Sequence, residues 1–178
     1  MVLAFLLHTV CAAPARILYQ RVFSCGSGDE ERTEQMEAVA RQVEALCLLR
    51  RRVSPRLAVV DVEEAGSLQE EDVGVLGFPP GGLFPQEVTV LWVGVQHLGF
   101  SLICDPGENL ALAEMTLRGM VKHLLETLRL LTHSNSALLR PDLIQLTLDT
   151  FIPQGALLFL SHQATQVLER ELSASITL

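Results

Sequence analysis

The sequence EVTVLWVGVQHLGFSLICDPGENLALAEMTLRGMVKHLLETLRLL, residues 87–131, decides the fold of this chain. Its first part predicts a β-hairpin, because two runs of strand-forming residues, 88–95 and 100–103, flank a short polar segment. Residues 96–99 are the predicted turn, and Gly99 supplies the backbone freedom that a turn requires.

A long amphipathic helix is predicted after the hairpin. Asp105 is its predicted N-cap, Pro106 fits the first helical position, and Glu108 completes a capping box. Apolar residues then recur at steps of three and four, which indicates one buried helix face. That face comprises Leu110, Ala113, Leu117, Met120, Val121, Leu124, Leu128 and Leu131. A hairpin followed by such a helix is a packing nucleus and carries no catalytic pattern.

The flanking sequence predicts further strands and helices around this nucleus. Patterning indicates strands at 2–9 and 16–23, a helix at 29–51, a candidate strand at 56–62, and shorter helices beginning at Pro141 and Ser161. Ile144, Leu148 and Phe151 are the predicted inward residues of the first short helix. This order predicts an α+β fold in which an antiparallel sheet has helices packed against it.

Residues 53–86 give the weakest pattern. The acidic segment 63–72 is predicted to be a mobile loop, and the Pro/Gly-rich segment 77–85 a break before the hairpin. Neither flank contains a complete core, so we expect one domain over residues 1–178, with 53–86 variable and partly mobile.

Composition restricts the function. The chain has 178 residues, 49% of them hydrophobic, and a net charge of −8. This charge argues against nucleic-acid binding and against direct adsorption to acidic membranes. The high apolar content predicts that part of the surface is buried against another protein.

The apolar N-terminus is predicted to be a buried strand. It resembles a signal peptide, but no Lys or Arg precedes the apolar run and His8 interrupts it. A secreted protein that uses residues 1–15 as a signal is the alternative. No apolar run approaches the ~20 residues of a membrane span.

Candidate catalytic and metal-binding residues are few. The four cysteines are widely spaced, which favours reduced thiols over a zinc site. Cys104 beside Asp105 is a candidate nucleophile, but a core cysteine at a strand end fits better. His123 is predicted to occupy a polar or boundary position, because no second ligand lies one turn away. We therefore expect no cofactor, no metal and no enzymatic activity.

One basic cluster stands out, formed by Arg50, Arg51, Arg52 and Arg56. Cations at the end of a helix complement its dipole, which is one interpretation of the cluster. The other is a contact to phosphoinositide headgroups or to an acidic partner.

Several segments carry a resemblance to a known family. They are residues 1–9, 38–44, 98–100, 108–110, 113–114 and 157–160. On them the chain resembles the small (sigma) subunits of the clathrin-adaptor complexes, which have the longin-type, SNARE-like fold, and among them the sigma chains of adaptor protein complex 5. Asn109, Leu110, Ala111 and Glu114 match a pattern shared with other sigma subunits. Similarity is weakest over 53–86.

The resemblance implies a five-stranded antiparallel sheet with helices on its faces, and no catalysis. It implies a heterotetramer with two large chains, of zeta and beta type, and one medium (mu) chain, with spatacsin and spastizin associated through the complex. The implied role is protein sorting by vesicles, in the cytoplasm and peripherally on late endosomes and lysosomes. Membrane contact would be indirect, through the complex.

Two other functions stay open at this point. The chain could be another longin-fold trafficking module, such as a subunit of a tethering complex. It could also be a small cysteine hydrolase that uses Cys104.

Overall fold

The computed structural model describes residues 1–10, 14–24, 28–53, 71–128, 140–158 and 167. The strands are β1 (Val2–Thr9), β2 (Ile17–Val22), β3 (Glu71–Phe78), β4 (Val88–Val95) and β5 (Leu98–Cys104). The helices are α1 (Asp29–Val53), α2 (Leu110–Leu128) and α3 (Pro141–Phe151), followed by a 3₁₀ turn at Pro153–Gly155.

The five strands form one antiparallel sheet in the order β2-β1-β5-β4-β3. β1 and β5 are neighbours, although they lie far apart in sequence. This arrangement is a longin-like α+β fold, as the sequence predicted. β2 and β3 are the two edge strands of the sheet.

Helices cover both faces of the sheet, which explains why β1, β4 and β5 are apolar on both sides. On one face α1 packs against alternate strand residues, among them Ala4, Leu6, Val90, Trp92 and Ile103. On the other face α2 and α3 pack against a second set, among them Phe5, Leu7, Leu91, Phe100 and Leu102. The central strands are therefore buried between two helical layers.

The predicted helix faces are confirmed. The residues predicted to line the buried face of α2 are buried from Ala113 to Leu128, with Leu110 at the margin, and Leu131 lies outside the described residues. Ile144, Leu148 and Phe151 of α3 also point into the core. The candidate strand at 56–62 and the helix predicted from Ser161 lie outside the described residues.

The predicted hairpin turn needs correction. Only Gln96 and His97 lie between the strands, and Gln96 has a φ of 49°, whereas Gly99 pairs with Gly94 inside the sheet. Glycine is required at 99 for space: a Cβ there would lie 2.5 Å from Cε1 of the buried His8 ring. The requirement is steric and comes from the neighbouring strand β1.

The predicted loop at 63–72 is wrong at its end, because Glu71 and Asp72 begin β3. Both acidic side chains have partners that hold them at the sheet. Nη1 of Arg118 lies 2.5 Å from Glu71, and Nε of Arg51 lies 3.1 Å from Asp72. These ion pairs allow polar residues to occupy the strand. Within the described ranges, none of the helices is long and apolar enough to cross a membrane.

Candidate functional site

The junction between β5 and α2 holds the residues that match the family pattern. Asn109, not Asp105, is the N-cap of α2: its Oδ1 accepts a hydrogen bond of 3.1 Å from the N–H of Leu112. The helix begins at Leu110, five residues after Asp105, so the predicted capping box at 105–108 was wrong. Asn is as good a cap as Asp, and it is the residue next to the first helical turn.

Asp105 and Glu108 instead hold the start of β1. The amino group of Met1 lies 3.3 Å from Oδ2 of Asp105 and also pairs with Glu108. The hydrogen bond from Met1, with a second from the N–H of Asn109, lowers the pKa of Glu108. The same pairing raises the pKa of the Met1 amino group. The junction therefore joins α2 to the first strand.

The remaining pattern residues lie on the first turns of α2. Leu110 is half-buried and Ala111 is exposed. Glu114 accepts a hydrogen bond of 2.9 Å from Arg118, which also binds Glu71 of β3. This chain of charges links α2 to the edge of the sheet.

Replacing Asn109 with alanine is expected to lower the free energy of unfolding by about 1 kcal/mol, the usual contribution of a helix cap. Asn109→Asp is the matched control, because it keeps a side-chain oxygen that can accept the hydrogen bond from the N–H of Leu112. Chemical denaturation of both variants measures the difference. An equal loss for Asn109→Asp and Asn109→Ala would show that the side-chain oxygen at 109 does not stabilise the helix.

A pocket of about 500 Å³ lies beside this junction, between the first half of α1 and the ends of four strands. Apolar side chains form most of its floor, among them Leu3, Val22, Met36, Phe84 and Ile103. Polar residues of its lining are Glu31, Arg32, Gln35, Gln86 and Asp105. Gln35 is fixed by donating a hydrogen bond of 3.1 Å to the carbonyl oxygen of Leu83.

This pocket could not be predicted from the sequence, because its lining comes from segments more than 100 residues apart, such as Leu3 and Asp105. Asp105 of the lining is predicted from the sequence to cap α2, which is a different role. The structure places Asp105 at both the junction and the pocket.

The structure divides the basic cluster. The guanidinium of Arg50 lies 5.1 Å from the ring centroid of Trp92 and donates to the carbonyl oxygen of Val73. Arg51 pairs with Asp72, whereas Arg52 is exposed. Arg56 lies outside the described residues. Of the three arginines that the structure describes, two therefore contact the sheet.

Cys104 does not have the environment of a nucleophile. Its side chain is buried between β5 and the α2 layer, and burial raises its pKa to about 12. His8 lies at the opposite end of the sheet, since β1 pairs His8 with Gly99 and Val2 with Cys104. His123, predicted at a boundary, is 4% exposed and packs beside Phe151.

Cys104 is expected to resist alkylation by iodoacetamide in the folded chain at about pH 8, because a raised pKa keeps the thiol protonated. The same thiol should react fully after unfolding in guanidinium chloride. Mass spectrometry of the labelled peptides measures both reactions. Rapid labelling of Cys104 in the folded chain would support the hydrolase hypothesis.

In the described part of the chain, no group of three His, Cys, Asp or Glu residues is placed to hold a metal ion.

Comparison with known proteins yields one consistent result. The family model described as AP-5 complex subunit sigma-1 matches residues 1–173. The human protein named AP-5 complex subunit sigma-1 is 41% identical over 197 aligned positions, which cover 98% of each chain. The mouse protein of the same name is 40% identical over 154 positions, which cover 74% of this chain and 91% of the mouse chain.

Proposed function

Because the chain belongs to the family of AP-5 complex sigma-1 subunits, we propose that it is the small subunit of a heterotetrameric adaptor complex that sorts membrane proteins at late endosomes and lysosomes. The observation that carries this proposal is the extent of the similarity, which includes every strand and helix of the described residues from β1 to α3. A match of this length supports the function of a whole subunit.

The proposed partners are two large chains, of zeta and beta type, and one medium (mu) chain, with spatacsin and spastizin reached through the complex. We further propose that residues 1–178 act as one domain without catalytic activity. The burial and raised pKa of Cys104 support the non-catalytic part. Several large apolar side chains are exposed, including Leu49, Val53, Val75 and Met115, which supports burial of surface against partner chains.

The proposed contact residues fall into two groups. The first is the β5–α2 junction, where Asp105 also lines the pocket beside α1. The second is the exposed Arg52, which remains available for an acidic partner. Arg50 and Arg51 already contact β3, so their replacement would alter the fold as well as any interface.

Affinity purification of the tagged full chain from cells, followed by mass spectrometry, tests the proposed assembly. We expect two large chains and one medium chain to be recovered in amounts comparable to the tagged chain. Leu117→Asp places a carboxylate in the core and should unfold the chain. This variant is the control for nonspecific binding of other proteins to an unfolded chain. Recovery of a folded monomer with no large chain would overturn the proposal.

Fractionation of cells tests the proposed location. The chain is expected in the cytosol and on membranes that carry late-endosomal and lysosomal markers. An alkaline wash should release the membrane pool, because peripheral proteins are held by protein contacts. Retention after the wash, or enrichment on a different organelle, would contradict the proposed location.

A further inference from the structure

The outer edge of β3 is unevenly protected. Since β3 is the last strand of the sheet, no strand of the described residues lies along one side of its backbone. The β4–β5 register determines which residues point outward. The loop between β4 and β5 has two residues, so Val95 and Leu98 on either side of it form a hydrogen-bonded pair. Every second residue of β4, counted back from Val95, therefore forms backbone hydrogen bonds with β5, and the residues between them form backbone hydrogen bonds with β3. Those residues are Val88, Val90, Trp92 and Gly94, and their β3 partners are Phe78, Leu76, Gly74 and Asp72.

The other residues of β3 therefore direct their backbone N–H and C=O groups away from the sheet. These residues are Glu71, Val73, Val75 and Gly77. A separate contact confirms this orientation: the carbonyl oxygen of Val73 accepts a hydrogen bond from Arg50, which reaches β3 from α1. The strand register and the arginine contact therefore identify the same residues of β3 as those whose backbone groups point away from the sheet.

Three arginines protect the first half of this edge. Arg118 binds the carboxylate of Glu71, and Arg51 binds that of Asp72. The third, Arg50, occupies the outward carbonyl of Val73. Charged side chains at a strand edge are a common means of preventing the addition of another strand.

The second half of the edge has no such protection. Within the described ranges, no group hydrogen-bonds to the outward backbone of Val75 or Gly77. Val75 is 55% exposed and Gly77 is exposed. Residues 73–78 contain no Lys, no Pro and no charged side chain, and the β3–β4 register has no bulge. Two outward residues offer four free backbone hydrogen-bonding groups.

We propose that the edge at Val75–Gly77 receives an extended segment of another subunit of the adaptor complex, which adds a short sixth strand to the sheet. Free backbone donors and acceptors select an extended peptide rather than a helix. The side chain of Val75 lies on the α2 face, because it alternates with Gly74, which Trp92 covers on the α1 face.

The partner segment should present an apolar residue to that face. Met115 is 67% exposed and lies three residues before Arg118, the residue through which α2 contacts β3. Val75 and Met115 therefore offer apolar surface on the same side of the sheet. Because arginines occupy the edge from Glu71 to Val73, the added strand can pair only with the few residues of β3 that follow Val73.

The inference rests on the proposed function, since the partner strand is assigned to another subunit. Hydrogen exchange of the full chain, alone and in the purified complex, tests it directly. In the complex, the amides of Val75 and Gly77 should exchange at least about tenfold more slowly, because each gains a backbone hydrogen bond. The amide of Asp142, at the first turn of α3, provides a reference outside the predicted contact.

Val75→Pro is the matching variant. The N–H of Val75 points outward, so proline removes a donor for the added strand but no hydrogen bond to β4. Val75→Ala is its control, because it removes most of the side chain and retains the donor. Val75→Pro should lower recovery of the partner subunits by at least about tenfold, whereas Val75→Ala should retain most of it.

The possible outcomes separate the two proposals. If no other subunit is recovered with the wild-type chain, both the proposed function and this inference fail. If the complex is intact but exchange at Val75 and Gly77 is unchanged, only the inference fails. Protection of these amides in the isolated chain would also overturn it, because the edge would then pair within the chain or with a second copy. The exchange measurement uses the wild-type chain and so does not depend on folding of the proline variant.

Discussion

Replacing Gly155 with alanine is expected to lower the free energy of unfolding by about 3 kcal/mol, the sum of two costs. Gly155 has a φ of +82°, a left-handed conformation that costs an L-residue about 1–2 kcal/mol. A Cβ at this position would also collide with the backbone carbonyl oxygen of Val2 and lie 3.0 Å from Cβ of Phe23. Because the obstacle is backbone in β1, no side-chain rotation can relieve it.

Gly119→Ala is the matched control for this substitution. Gly119 lies within α2, and an added Cβ would lie 3.5 Å from Cε1 of Phe151, an ordinary contact. Alanine in a helix is favoured over glycine by about 1 kcal/mol, so Gly119→Ala should raise stability. Denaturant titration of the full chain measures both effects. Equal stability of the two variants would show that the turn after α3 tolerates displacement from β1.

The second large effect is expected at Trp92. Trp92→Ala should lower the free energy of unfolding by about 3–5 kcal/mol, because a large buried side chain is lost and leaves a cavity. Trp92 is 1% exposed, lies under α1, and covers Gly74 so closely that a Cβ at 74 would be 2.5 Å from the indole. Its ring also supports the guanidinium of Arg50.

Two variants separate the contribution of the Trp92 side chain to stability from that of Arg50. Trp92→Phe should cost much less than Trp92→Ala, because it retains an aromatic ring and the indole Nε1 has no hydrogen-bond partner among the described residues. Arg50→Ala removes only the cation–π contact and one hydrogen bond, and should cost about 1–2 kcal/mol. If Arg50→Ala were as damaging as Trp92→Ala, the arginine rather than buried volume would hold α1 to the sheet.

Elements with strong apolar periodicity could be predicted from the sequence. The buried face of α2 follows directly from hydrophobic residues at steps of three and four. β1 was also predicted correctly, because a short continuous apolar run fits a strand with helices on both faces. In these cases the pattern within one segment reflects the surface that the segment buries.

The failures at β3 and at the hairpin turn share a physical cause: the residues that explain them lie in a distant part of the chain. β3 contains two glycines and two acidic residues, which is typical of a loop, yet Trp92 requires Gly74 and arginines from both α1 and α2 hold Glu71 and Asp72. Gly99 was assigned to a turn, although His8 of β1 explains it. None of these partners is close in sequence.

The position of the N-cap was missed for a local reason. Asp105, Glu108 and Asn109 are all suitable for the start of a helix, and Pro106 favoured the earliest of them. The structure uses the acidic residues to pair with Met1 and leaves the cap to Asn109. The pocket beside α1 could not be predicted at all, since its walls form only when β1 and β5 pair.

The pairing of β1 with β5 also has a consequence for synthesis on the ribosome. β1 and β2 can pair as soon as both have emerged, and β3, β4 and β5 can pair in turn as neighbours. The pairing of β1 with β5 joins these two groups of strands. It can form only after β5 has been synthesised, about a hundred residues after β1. Until then, a two-stranded hairpin with both faces apolar is exposed, a state that is only marginally stable in water. The nascent chain therefore presents an aggregation-prone surface early, for as long as it takes to translate about 80 further residues.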